Sequence, residues 1–352
     1  MFNKNLKYYR LKKNMSKKQL ADACGITPMA ITNYENGDRT PDMQIINELA
    51  KALGIYVADF IESRNDNLVF KHCEFRKSSK LSKAEQEFVQ EYVEEYFSRF
   101  FDTIDCLGGN PLPKPIKTHN YKPDSSYHKN ALTLRCCLSL PQFGPISNLI
   151  TSLENLGILV LEVDVDNSNF SGMNGLVNEY PYIVINKNMR TERKRTTIAH
   201  ELAHMMFNWN KVSEKEQEKM ATLISGAFLI TDIDLIRELG NKRSKITNDF
   251  SLICEEYGIS IYLLVTRAKQ VNMISENQAT DFFINANKAN WKQNEPNRVK
   301  NIEEPSLFKQ LVFRAINEED VNLNRGAELL GMPINELKKY CGQMEVNAWR
   351  NV

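Results

Sequence analysis

Residues Thr196–Phe207 read TTIAHELAHMMF. The stretch holds two of the five histidines in a chain of 352 residues, four positions apart, with Glu201 directly after the first. Its other members, Ile198, Ala199, Leu202, Ala203, Met205, Met206 and Phe207, are mostly apolar, so a helix here is largely buried. A buried helix carries His200, Glu201 and His204 only if those groups are satisfied. Residues four apart share one helix face, so His200 and His204 can each offer a ring nitrogen to one zinc ion. Glu201 lies beside that face. It is placed to take a proton from an activated water and return it to a leaving amine.

A catalytic zinc needs a third protein ligand and an open position. The next helix, SEKEQEKMATLISGAFLITD, offers Glu214, Glu216 and Glu218, and periodicity does not choose among them. Ser213 and Glu216 have the spacing of a capping box at its start. Met220, Ala221, Ile224, Ala227 and Phe228 make its inner stripe. Upstream, a helix opens at Pro145, with Ile146, Leu149, Ile150 and Leu153 inward and Gly157 at its end. ILVLEVDV reads as a strand, Phe170–Gly175 as a turn, and PYIVIN as a second strand ending at Asn186. This order puts a sheet edge beside the metal helix, where an extended peptide could add as a strand. Tyr180, Tyr182 and the basic run Arg190–Arg195 are the candidates for oxyanion stabilisation, each also readable as a packing or surface residue. His119 and His128 stand alone and read as non-ligands.

At the other end, residues 1–63 read as short helices with tight turns. Ser16 caps a helix that ends at Gly25. Thr27 caps the next, with Pro28 at its first position, Ile31 and Tyr34 inward, and Gly37 closing it. A fourth helix carries Ile45, Ile46, Leu49, Ala50 and Leu53. Two short helices joined by Cys24-Gly25-Ile26 make a helix-turn-helix. Residues 1–21 contain seven lysines and arginines and no acid, a local basic field in a chain whose net charge is only +1. In a helix-turn-helix the second helix enters the major groove, so Thr27, Pro28, Met29, Thr32 and Asn33 would face DNA, with Gln19 nearby. Over residues 1–62, nine basic and seven acidic residues leave about +2, so affinity is modest unless the chain forms a homodimer.

This segment resembles the Xre family of lambda-repressor-like DNA-binding domains, through Gln19-Leu20-Ala21, Gly25-Ile26, Ile31, Tyr34-Glu35, Gly37, Arg39–Pro41 and Leu49-Ala50. Residues from about 130 to 270 resemble the ImmA/IrrE family of metallo-endopeptidases. The carriers are Arg135, PISNLITSLENLGILVLEV, FSGMNG, PYIVIN, RKRTTIAHELAH and EKMATLISGAFLI. That resemblance implies Glu218 as third ligand, three residues before the small Ala221. It also implies a peptidase acting on a DNA-binding repressor. Thr196, Thr222, Ile224, Ser225 and Ile230-Thr231 depart from the family pattern without removing a ligand.

The remaining stretches set the organisation. A polar linker, with Val69-Phe70 and Phe75 as a short strand, leads to a helix capped by Ser82 with an aromatic inner stripe. A Gly- and Pro-rich break then ends the linker at 64–128. The peptidase-like segment runs from 129 to 270. A helical C-terminal region of unread purpose covers 271–352, and its EDVNLNRGAELLGMPINELKKY repeats the helix–turn–helix look at Ala327, Leu329-Leu330 and Gly331. Hydrophobic and charged shares of 42% and 25% are those of a soluble globular protein. The longest apolar runs are too short to span a bilayer, and no signal-peptide core is present. Seven cysteines without CxxC spacing read as reduced thiols in a cytoplasm.

The expectation is therefore an α+β, mostly helical protein: an all-α helix-turn-helix domain, a zincin-like metallopeptidase domain with a small sheet, and a helical C-terminal region. Its expected cofactor is Zn2+, with Mn2+ the alternative ion. Its expected partners are DNA and a protein substrate, an Xre-type repressor whose cleavage derepresses stress-response or mobile-element genes. No membrane is involved. The competing expectation is an Xre-type transcriptional regulator whose metal site is structural or sensory.

Overall fold

A computed structural model describes residues 1–61, 67–72, 81–167, 169–291, 295, 299 and 303–342. The chain divides into two compact units, one of residues 1–70, 75–111 and 307–352, the other of residues 71–74 and 112–306. The segment read as a linker is thus shared between them. Its expected boundary near residue 63, Phe75 and much of the polar stretch around 292–301 lie outside the described residues.

The first unit begins with α1 (Phe2–Lys12), α2 (Lys17–Ala23), α3 (Pro28–Asn36) and α4 (Met43–Leu53), then a 3-10 turn at Val57–Phe60. Each cap does the work its residue type suggests. The Ser16 hydroxyl accepts from Gln19 N while the Gln19 side chain accepts from Ser16 N. Thr27 accepts from Ala30 N, and Asp42 from Ile45 N. Gly37 and Gly54 end α3 and α4 at positive φ, where a side chain would be strained. Leu6, Leu20, Ala21, Ile31, Leu49, Leu53 and Phe60 are sealed in the core. Arg10 is buried too, in a two-bond ion pair with Glu35. It therefore belongs to the interior and not to the exposed basic field.

After β1 (Phe70–His72) comes α5 (Lys83–Cys106), which Ser82 starts with a capping box. Its inner stripe of Val89, Val93, Phe97 and Phe100 is buried, as the aromatic spacing requires.

The second unit contains α6 (Tyr127–Cys137), α7 (Leu149–Glu154), β2 (Leu159–Val163), β3 (Gly172–Val177), β4 (Tyr180–Asn186), α8 (Thr191–Met206), α9 (Glu214–Leu229), α10 (Asp232–Leu239), α11 (Phe250–Tyr257), α12 (Ile261–Gln270) and α13 (Glu276–Lys288). The four strands lie in the order β1-β3-β4-β2. β2 runs parallel to β4, with Val160 opposite Ile183, and β3 runs antiparallel to it, with Asn174 opposite Ile183. β4 is buried along its whole length, as befits a central strand.

Three expectations are corrected here. Helix α7 starts at Leu149, with Asn148 capping it by accepting from Thr151 N, and not at Pro145. Phe170–Gly175 is mostly strand, not turn. Gly172 and Gly175 hide its alternation, because neither carries a side chain. Finally, β3, which packs beside α8, is not an open edge: the short β1 of the same chain pairs with it, so the edges are β1 and β2.

The last three helices, α14 (Leu307–Asn317), α15 (Leu323–Leu330) and α16 (Ile334–Cys341), return to the first unit. Among the described residues, no helix is long and apolar enough to cross a membrane.

Candidate metal centre

Helix α8 earns its place by burying Ile198, Ala199, Leu202, Ala203, Met205 and Met206 in the core of the second unit. Its last carbonyls would be orphans at a helix end. The segment His119–Tyr121 satisfies them: His119 N donates to Met205 O (2.8 Å) and Tyr121 N to Met206 O (3.3 Å). His119 Nδ1 also lies 3.1 Å from Phe207 O. This histidine therefore fastens α8 and stands outside the group of possible donors. Trp209 Nε1 donates to Ala203 O and turns the chain toward α9. The expected capping box at the start of α9 does not form. Ser213 accepts from Glu216 N through its carbonyl, and no side-chain cap is made. Gln217 Nε2 instead donates back to Val212 O at 2.7 Å.

These supports bring three donors together. His200 Nε2 and His204 Nε2 are 3.2 Å apart. Glu218 Oε1 lies 3.2 Å from His204 Nε2, and its Oε2 lies 3.5 Å from His200 Nε2. Ligand bonds of ~2.0–2.1 Å at tetrahedral angles put donors about 3.3–3.4 Å apart. The observed triangle has that size, and two imidazoles with one carboxylate are a zinc-type donor set. Among the described residues, this is the group of His, Cys, Asp and Glu that could hold an ion. Glu214 and Glu216 are exposed and outside it. The half-buried position of the donors leaves one side of the triangle accessible.

Glu201 is buried, and Asn174 Nδ2 donates to its Oε2 at 2.8 Å. Sequence reasoning missed Asn174, because it lies in the stretch read as a turn. The signal that could have found it is Gly172. A Cβ there would come within 2.6 Å of Thr197 Cγ2 and 2.7 Å of Val184 O. The bare backbone lets β3 close onto α8, and Asn174, two residues on, shares the face of Gly172.

The oxyanion candidates are largely occupied elsewhere. Tyr182 is fully buried, its hydroxyl 2.6 Å from His72 Nδ1. Lys194 pairs with Glu162, and the guanidinium of Arg195 pairs with Glu303. Arg135 is fully buried, donating to Phe228 O and Leu229 O and so holding α6 against the end of α9. Thr231, at a departure from the family pattern, caps α10 through Asp234 N.

In the first unit, Gln19, Thr27, Pro28 and Met29 are exposed, while Thr32 and Asn33 are half-buried. Met29 is 67% exposed. Gln19 is partly committed to the Ser16 cap, and Thr32 donates to Pro28 O.

Comparison with known proteins agrees with this layout. Residues 6–60 match a family model described as helix-turn-helix, and residues 153–269 one described as IrrE N-terminal-like domain. Over 71 residues, 20% of the chain, it is 32% identical to the uncharacterized HTH-type transcriptional regulator YqaE of Bacillus subtilis (strain 168), covering 61% of that protein. Over 88 residues, 25% of the chain, it is 23% identical to the cryptic phage CTXphi transcriptional repressor RstR of Vibrio cholerae, covering 79% of it. The chain spans about three-fifths of the first relative's length. The chain thus carries an Xre-like helix-turn-helix domain and, C-terminal to it, an IrrE/ImmA-like domain.

Proposed function

We propose that this protein is a cytoplasmic zinc-dependent endopeptidase, directed to DNA by its N-terminal domain, that cleaves an Xre-type transcriptional repressor. The observation carrying this reading is the convergence of His200, His204 and Glu218 in a triangle of zinc size beside the buried Glu201. His200, His204 and Glu218 would hold the ion, which when bound supplies Lewis acidity and makes water a nucleophile at neutral pH. Glu201 takes the proton of the attacking water and delivers it to the leaving amine. Asn174 donates to one oxygen of that carboxylate and so sets the orientation of the base. The repressor as substrate rests on the pairing of the two domains and on two relatives named as a transcriptional regulator and a repressor.

A second reading is a transcriptional regulator whose metal site is structural or sensory. One observation favours it: the three-residue β1 pairs with part of the outer side of β3, which leaves less of that side for an added peptide strand while β1 stays. The deciding experiment is metal analysis of the purified chain, followed by incubation with Xre-type repressors beside Glu201→Gln. That substitution leaves the three ligands in place and removes the base. Cleavage by the wild type and none by the variant supports the peptidase. A zinc-loaded wild type that cuts nothing supports the regulator.

A further inference from the structure

The C-terminal helices α15 and α16 repeat the backbone pattern of the N-terminal α2, its turn and the start of α3. Asn322 caps α15 by accepting from Arg325 N at 2.9 Å, as Ser16 caps α2 by accepting from Gln19 N at 3.1 Å. Gly326 N donates to Asn322 O as Leu20 N donates to Ser16 O. Both turns carry a left-handed glycine at the matching position, Gly331 at φ +62 and Gly25 at φ +65. Met332 N closes back to Ala327 O at 3.0 Å, and Ile26 N to Ala21 O at 3.0 Å. The following helices open alike, with Leu337 N donating to Pro333 O and Ile31 N to Thr27 O. Leu337 and Ile31 are both fully buried. Tight packing in the second copy has its own device: a Cβ on Gly326 would lie 2.5 Å from Ile316 Cδ1. So α14–α16 form a second helix-turn-helix in the same unit as the first.

The correspondence carries over to chemistry. The positions expected to face DNA in the first copy, Gln19, Thr27, Pro28, Met29, Thr32 and Asn33, fall on Arg325, Pro333, Ile334, Asn335, Lys338 and Lys339. That set contains three cations, one amide and no acid. Asn335, Lys338 and Lys339 are exposed, while Arg325 is held by Glu328 and Asp102. The acids of this copy lie elsewhere: Glu318, Glu319 and Asp320 in the turn before α15, and Glu328 and Glu336 at places matching Asp22 and Ala30. Both copies pack on α5, through Lys7 to Glu91 and through Arg99 to Leu329 O.

We propose that α15–α16 is a second duplex-DNA contact, with α16 laid against the groove and Lys338 and Lys339 on phosphates. It rests on the DNA-binding part of the function above and not on the peptidase part. Tethering on α5 gives the second copy a high effective concentration once the first is bound.

The test uses the full chain and a labelled mixed-sequence duplex, with affinity followed across a salt series. Lys338→Ala with Lys339→Ala weakens binding and makes the slope of log K against log salt shallower by about 2, one for each phosphate no longer neutralised. Both lysines are exposed, so the melting temperature stays put. Met29→Glu, in the first copy, serves as the comparison. If Met29→Glu lowers affinity but the double lysine variant keeps the wild-type affinity and slope, the second contact is overturned and the first stands. A wild-type chain that binds no duplex overturns both.

Discussion

Asn174 holds Glu201 by a 2.8 Å hydrogen bond between two side chains that are each almost wholly buried. The partner is not a metal ligand, so its loss separates positioning from metal binding. Asn174→Ala should lower kcat by about 10–100-fold, the range found when a supporting hydrogen bond behind a metal site is removed. KM and zinc content should stay at wild-type values, and Asn174→Gln should recover part of kcat. Steady-state kinetics with zinc quantified in the same samples checks this. An unchanged kcat in Asn174→Ala would remove the positioning role.

The choice among three glutamates gives the second prediction. Glu218→Ala opens one side of the donor triangle. It should weaken zinc binding by more than the ~10–100-fold typical of losing a group behind a ligand. Glu214→Ala and Glu216→Ala, both at exposed positions, should leave affinity within about twofold, as surface changes do. Competition with a chromogenic chelator measures all three. Equal losses for Glu216→Ala and Glu218→Ala would reassign the ligand.

How much of this was legible beforehand depends on where the controlling interaction lies. Ser16, Thr27, Gly25 and Gly37 act on backbone within a few residues, so the N-terminal helices could be read one cap at a time. His200 and His204 share a face by helical spacing alone. Glu218 comes from another helix, and no local rule separates it from Glu214 or Glu216. Strand β3 was illegible because its glycines answer to groups on other elements, Gly172 to Thr197 and Val184 and Gly175 to Tyr182 and Lys71 O. The Ser213–Glu216 spacing misled for the opposite reason. The motif is local, but Gln217 reaching back to Val212 O already orders that turn. The covered edge of β3 depends on β1, a three-residue strand with no periodicity to detect.

Gly172 permits a direct check of the close approach between β3 and α8. Gly172→Ala must displace both Thr197 Cγ2 and the Val184 carbonyl, at 2.6 and 2.7 Å from the new Cβ. Overpacking of this kind costs about 1–3 kcal/mol. The loss should appear in urea unfolding as a lower midpoint with an unchanged slope. Since backbone must shift, Asn174 should also move from Glu201, lowering kcat together with stability. A fully stable Gly172→Ala would show that β3 can retreat freely.

Arg195 anchors α8 upstream of His200. Its guanidinium meets Glu303, which also accepts from Leu149 N at 3.0 Å, and it donates to Ile146 O at 2.8 Å. Both side chains are buried. Removing one partner strands the other charge, so Glu303→Ala should cost about 3–5 kcal/mol. Replacing both by apolar residues of similar volume should cost much less. A double-mutant cycle on unfolding free energy measures the coupling. Additive losses would mean that the pair is not a unit.

Glu295 supplies the pH dependence. Burial pushes its carboxyl above the ordinary glutamate value, reinforced by the charge of Glu192 and opposed by the hydrogen bond from Ile261 N and by Arg190. A carboxyl with a raised folded-state value holds its proton more tightly folded than unfolded. Its contribution to stability is therefore full below the ordinary glutamate value and is lost as pH rises through the raised one. Glu295→Gln keeps an oxygen to accept from Ile261 N and never ionises. The melting temperature of the variant relative to wild type should thus climb from acidic pH toward neutrality and then level off. Calorimetry of both proteins in matched buffers gives the difference directly, with other titrating groups cancelling. A difference that stays flat between pH 4 and pH 8, roughly the span over which a raised carboxyl titrates, would mean that Glu295 ionises as readily folded as unfolded.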